Sequence, residues 1–175
     1  MKIVSNALSD DLLSRCIEEF KEKIKIPCWG SSSLLWQLKS QEGISGSTLC
    51  TYTSEEIGDD IAKQVLPHLP NEYKFDKITT KYHLWQPHSG VSIHNDESYN
   101  FGATIYLNEE WDGNSGGWFI WRDKDTDEWK VLLPTINTMV MNIDCEQHLV
   151  TPVSPNKFRL TIQIFGDWRD DKGKE

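Results

Sequence analysis

The sequence predicts a mainly β protein with N-terminal helices, in which a jelly-roll core of two facing sheets packs on two or more helices. Three observations predict it. From about Asp76 onward, short β-rich runs follow one another at 76–86, 91–96, 101–107, 117–122, 128–132, 137–142, 148–153 and 158–165. Breaker clusters such as Asp112-Gly113-Asn114-Ser115-Gly116-Gly117 and Ser154-Pro155-Asn156 separate them. Ahead of them, apolar residues recur at helical spacing. Short strands behind a helical lead-in close most of their edges by folding into two facing sheets. A length of 175 residues argues for a single domain, 1–175, with a helical lead-in and loops over 1–75 and the β core over 76–168.

The elements follow in order. Leu12, Leu13, Cys16, Ile17, Phe20 and Ile24 form the apolar stripe of a first helix. Ser9 is its N-cap, Asp10 and Asp11 suit the positive end of its dipole, and Pro27 lies just past its end. Gly30 to Ser47 is rich in Ser and Gly and reads as loop. A second helix starts near Thr53, with Glu56 as capping-box partner, and carries Ile57, Ile61, Val65 and Leu66 up to Pro67. In the last strand Phe158, Leu160, Ile162 and Ile164 share one face, and Arg159, Thr161 and Gln163 the other. In 101–107, Ala103, Ile105 and Leu107 oppose Gly102, Thr104 and Tyr106. Alternation leaves two arrangements open: the polar faces meet water, or they line a cavity while the apolar faces pack on the helices.

Composition narrows the function classes. With 18 Lys plus Arg against 27 Asp plus Glu, the net charge is −9, which argues against a nucleic-acid partner. Apolar residues at 38% and eight Trp suffice for a core. No apolar window approaches a membrane span, and the first ten residues lack the apolar run of an export signal, so the expected location is cytoplasmic. The four cysteines lack CxxC spacing and read as reduced thiols. Cys145 and His148 form a CxxH that would need two further ligands to hold zinc. Asp123, Asp125, Asp127 and Glu128 resemble the start of a calcium loop, but no Gly and terminal Glu follow at the required spacing, and the segment reads as a solvated hairpin.

His94-Asn95-Asp96 is the sharpest local feature. In a strand, residues i and i+2 share a face, so imidazole and carboxylate can converge on one ion. Five His and 14 Asp make a chance HxD common, so position carries the weight. His148 starts a late strand and is the candidate third ligand, completing the two-His, one-carboxylate set that suits non-haem Fe(II). Arg159-Leu160-Thr161 follows, placing a guanidinium and a hydroxyl side by side as a carboxylate cradle.

From Ile78 to Trp168 the chain resembles the prolyl 4-hydroxylase-like branch of the Fe(II)/2-oxoglutarate-dependent oxygenases. The matching pieces are His94-Asn95-Asp96, Ala103 to Trp111, Ser115-Gly116-Gly117, His148 to Val153 and Arg159-Leu160-Thr161, in that order. The resemblance implies a double-stranded β-helix core and Fe(II) on His94, Asp96 and His148. It implies 2-oxoglutarate as cosubstrate, its distal carboxylate on Arg159 with the hydroxyls of Tyr106 and Thr161, and Phe119 as an apolar wall. It implies O2 as oxidant, ascorbate as a candidate reductant, and hydroxylation of an aliphatic C–H, with a prolyl residue in a peptide or protein as leading substrate. Tyr82, Trp85 and Trp121 are the candidate substrate-pocket residues. Trp85 stands where many members have a Tyr, and Val91 where some have a second. The alternatives are a hydroxylase of a small molecule or free amino acid, and a jelly-roll binding module without catalysis. His83 reads as facing either into or away from the pocket, and His88 as a turn residue.

Overall fold

Two short polar signals set the helices. Ser9 accepts a hydrogen bond from the Leu12 N–H and opens α1 (Asp10–Ile24), with Asp10 and Asp11 in its first turn. The second helix, α2 (Glu55–Val65), is capped at Ser54 rather than Thr53, and the Ser54 side chain makes no capping bond. Glu19 on α1 takes the part expected of Glu56 by accepting the N–H of the cap residue Ser54 at 2.8 Å, while the Thr53 hydroxyl bonds that of Thr80 at 2.6 Å. The expected local capping box is thus replaced by a tertiary cap. Arg15 ties the two helices through Glu56 at 2.7 Å and Asp60 at 2.9 Å.

The computed structural model describes residues 1–32, 44–70, 75–96 and 101–168. The part of the expected loop over 33–43 and the charged tail from 169 lie outside the described residues. All eight expected strands are present: β4 (Phe75–Trp85), β5 (Val91–His94), β6 (Phe101–Tyr106), β7 (Phe119–Arg122), β8 (Trp129–Leu132), β9 (Thr138–Asn142), β10 (His148–Val150) and β11 (Arg159–Trp168). Three more lie in the stretch read as helix and loop: β1 (Lys2–Ser5), β2 (Gly30–Ser31) and β3 (Thr48–Tyr52). They extend the edges of a seven-stranded sheet ordered β1-β9-β6-β11-β4-β3-β2, and a four-stranded sheet is ordered β5-β10-β7-β8. Every pairing between named strands is antiparallel.

Alternation along the large sheet produces two apolar layers. On its outer face Tyr82, Ala103, Ile105, Met139, Ile162 and Ile164 pack on Leu12, Cys16 and Phe20 of α1 and on Ile57, Ile61 and Val65 of α2. Burying one such large side chain contributes about 1.5–3 kcal/mol. On its inner face Trp85, Tyr106 and Val140 meet Val91, Phe119, Trp121 and Val150 of the small sheet. The polar faces of β6 and β11 therefore look between the sheets, which selects the cavity arrangement over the solvent one. Phe158 lies just before β11 and is half exposed, so the apolar face begins at Leu160. No helix among the described residues is long and apolar enough to cross a membrane.

Candidate active site

Sheet register brings the three metal-type donors together. β10 pairs antiparallel with β5 so that His148 lies directly opposite His94, the last residue of β5, and Asp96 lies two residues past it. The imidazole rings are 4.2 Å apart. His94 Nε2 lies 3.8 Å from Asp96 Oδ1, and His148 Nε2 lies 3.6 Å from Asp96 Oδ2. One donor atom from each residue falls within 4.8 Å of the others. Among the described residues no other group of three His, Cys, Asp or Glu converges in this way, and Cys145 does not join it.

Backbone carbonyls set the histidine tautomers. His94 Nδ1 is 2.8 Å from the Ser92 carbonyl and His148 Nδ1 is 2.9 Å from the Glu146 carbonyl, so each Nδ1–H donates and each Nε2 keeps its lone pair. The Asn142 side chain holds the Glu146 turn by accepting its N–H at 3.0 Å and donating to its carbonyl at 3.3 Å. Burial is the main force that pushes His148 down to about 4, with His94 adding to it and Asp96 opposing it. At neutral pH the ring is uncharged, as a metal ligand must be. Phe119 stacks on His148 at 5.1 Å and covers it.

The same cavity ends at a buried cation. Arg159 is 1% exposed, with its guanidinium carbon 4.6 Å from the Trp85 ring and 5.1 Å from the Tyr106 ring. Its Nε and Nη1 make no hydrogen bond, and neither does the buried Tyr106 hydroxyl. Burial lowers the Arg159 pKa and raises that of Tyr106, while each partly offsets the other's shift. A buried charge is tolerated when it is paired, so a guanidinium with free N–H groups fits an anion, and its fork fits a carboxylate. Trp85 Nε1 donates to Thr161 Oγ1 at 3.0 Å, which leaves the Thr161 proton free to point elsewhere. The residues present thus fit a divalent metal at one end of the cavity and a carboxylate at the other.

Two glycines make room for these groups. A Cβ on Gly117, at φ +61°, would lie 2.8 Å from Arg159 Cδ, and one on Gly102 would lie 3.1 Å from Asp96 Oδ2. Gly102 lies in β6 with no left-handed backbone, so crowding is the whole effect there. Gly102→Ala is expected to displace the Asp96 carboxylate and weaken Mn(II) binding by about tenfold, as outer-shell changes commonly do. Calorimetric titration of the folded variant checks it.

His94, Asp96, His148, Arg159, Trp85 and Phe119 all line this cavity, and Tyr106 and Thr161 sit against Arg159 at its end. Two of the three substrate-pocket expectations change. Tyr82 faces the helices, not the cavity: it is fully buried, stacks edge-on to Phe20 at 5.3 Å, and donates to Glu19 at 2.8 Å. Trp121 is buried beside Phe119 and does not line the cavity. Trp85 keeps its place in the cavity lining, where its ring lies over the Arg159 guanidinium. His88 occupies the β4–β5 turn with φ 64°. Asp123 is taken up by Lys130 at 2.6 Å and by the turn N–H groups of Asp125 and Thr126, which fits a hairpin rather than a cation loop.

Sequence reasoning passes over Asn142; it puts Gly102, Thr104 and Gln163 on faces that alternation leaves between solvent and cavity, and leaves His83 open; all five line the cavity. His83 is buried, and burial, aided by Lys81 and Arg159, pushes it down to about 3. Between that value and the ordinary 6.5 the unfolded chain binds a proton there that the folded chain does not. Stability contributed at this site is therefore complete above about pH 6.5 and falls with acidification, by about 1.4 kcal/mol per pH unit at most. His83→Leu is expected to flatten the loss of stability between pH 6 and pH 4 by that slope, read from urea unfolding at each pH.

No family model matches the sequence, and no curated protein matches it. Solved structures do resemble it. A Pseudomonas putida prolyl-4-hydroxylase is 15% identical, with a TM-score of 0.74 over 96% of this chain and 92% of that one. A prolyl hydroxylase from Trichoplax adhaerens, solved with a peptide fragment of the hypoxia inducible factor oxygen degradation domain, is 13% identical, with a TM-score of 0.74 over 95% and 82%. An oxidoreductase of the 2OG-Fe(II) oxygenase family from Burkholderia pseudomallei is 14% identical, with a TM-score of 0.65 over 94% and 84%. The chain has the jelly-roll fold of these prolyl hydroxylases and 2OG-Fe(II) oxygenases.

Proposed function

We propose that this protein is an Fe(II)- and 2-oxoglutarate-dependent oxygenase that hydroxylates an aliphatic C–H bond, with a prolyl residue of a peptide or protein as substrate. The observation that carries this reading is the pairing, in one cavity, of a two-His, one-carboxylate donor set with a buried arginine whose Nε and Nη1 have no hydrogen-bond partner. When bound, the metal and 2-oxoglutarate supply O2 activation coupled to decarboxylation of the cosubstrate to succinate.

The chain's own residues supply position. His94, Asp96 and His148 would hold a divalent metal through one donor each, a set that suits non-haem Fe(II). Ser92 and Glu146 keep both imidazoles turned toward it. Arg159 pairs the distal carboxylate, Tyr106 and Thr161 add hydroxyl donors, and Trp85 covers the guanidinium and fixes Thr161. Phe119 and Val150 give the space between the two ends an apolar wall. All of these residues lie within 76–168, the proposed catalytic core. The prolyl assignment is supported by the likeness to two prolyl hydroxylases, one of them bound to a peptide.

Proline-containing peptides incubated with the Fe(II)-loaded protein, 2-oxoglutarate and O2 test the reading. Succinate formed in step with a 16-dalton gain on a proline is the expected result. Succinate coupled only to a small molecule or free amino acid would overturn the peptide assignment.

A further inference from the structure

The floor of the cavity carries one more buried polar group. His83 lies on β4 two residues before Trp85, so both side chains point between the sheets. In the register of β11, Thr161 lies opposite His83 on one side and opposite Tyr106 on the other. Tyr106, Thr161 and His83 thus form a row across three neighbouring strands, beside the Arg159–Trp85 row. Directly opposed residues in such rows have Cβ atoms only about 4.5–5.5 Å apart.

His83 is 4% exposed, and its Nδ1 has no hydrogen-bond partner. In the next row Gln163 is engaged by Thr104, whose hydroxyl donates to its Oε1. The imidazole is held neutral by burial and by the cations Lys81 and Arg159. A neutral ring carries one N–H and one lone pair, and its tautomer adapts to what it meets. An unmet nitrogen buried this deeply is costly, and a bound acceptor removes the cost. The acceptor that Arg159 calls for one row away is a carboxylate.

We propose that His83 donates its Nδ1–H to the carboxylate held by Arg159, as a specificity residue for the dicarboxylate beside Tyr106 and Thr161. The identity of that dicarboxylate as 2-oxoglutarate rests on the oxygenase reading.

The test measures binding of 2-oxoglutarate and of succinate to the full chain loaded with redox-quiet Mn(II), by calorimetry, in wild type, His83→Leu and His83→Asn. Leucine fills the space without a donor, and the asparagine amide places an N–H near the Nδ1 position. His83→Leu is expected to weaken both ligands by about tenfold, His83→Asn to stay within about threefold of wild type, and Mn(II) affinity to stay unchanged in both. Circular dichroism confirms folding, and His83→Ala replaces the leucine variant should that one not fold. Equal binding by wild type and His83→Leu, or equal weakening in the leucine and asparagine variants, would overturn the assignment and leave the oxygenase reading intact. Wild type that binds Mn(II) but neither dicarboxylate would overturn both.

Discussion

Arg159→Leu is expected to abolish dicarboxylate binding while making the ligand-free protein more stable. The guanidinium is almost wholly buried, and two of its nitrogens have no partner. Its neighbours are aromatic faces, which offer cation–π attraction but no counter-charge. Without ligand it is a desolvated charge, and replacing such groups by apolar residues of similar volume is neutral or stabilising by about 1–4 kcal/mol. With ligand it is half of a buried charge-assisted pair, whose loss costs about 2–5 kcal/mol, or roughly 30- to 5,000-fold in affinity. Urea unfolding of the ligand-free variant and calorimetry with 2-oxoglutarate read the two effects separately. A variant that is both less stable and unimpaired in binding would show that Arg159 serves packing alone.

The second large effect falls at the other end of the cavity. Asp96→Ala removes the carboxylate that lies within 4 Å of both imidazole Nε2 atoms. Two neutral imidazoles remain, and Mn(II) affinity is expected to fall by at least about 100-fold. Wild type at 100 times its Kd for the metal gains about 2.7 kcal/mol of stability by mass action, and the variant at the same concentration gains almost none. Succinate makes its contacts at Arg159, so its binding to metal-free protein is expected to persist in Asp96→Ala. Metal-induced thermal shift and succinate calorimetry check both halves. A normal metal shift in the variant would remove Asp96 from the site.

Much of this was legible because alternation and turn chemistry are local. The eight strands from β4 to β11 announce themselves by β-rich runs between Gly, Asn, Asp and Pro clusters. β1, β2 and β3 do not, because they are short edge additions whose partners, such as Met141 for Lys2 and Trp85 for Thr48, lie far away in sequence. Ser9 was readable as a cap because its partner is three residues on; the cap of α2 was not, because Glu19 supplies it from another helix. In β4 both faces are buried, so alternation carries no inward or outward sign. That is why the side taken by His83 is not readable from the sequence; Tyr82 is a pocket candidate by resemblance alone, and the packed helices take it instead. The ordered set His94, Asp96, His148 and Arg159 was readable as a sequence of chemical types. Asn142 and Gly102 were not, since their roles consist of contacts with the Glu146 turn and the Asp96 carboxylate.

The most direct test of the central claim is an anaerobic titration of the metal-free protein with Fe(II) and then 2-oxoglutarate, monitored in the visible, with His94→Ala and Arg159→Ala alongside. The expected result is a weak charge-transfer band of a chelated 2-oxo acid that requires His94, and whose 2-oxoglutarate midpoint moves to much higher concentration in Arg159→Ala. No band from folded wild-type protein at saturating Fe(II) and 2-oxoglutarate would contradict it and leave a jelly roll that binds something else.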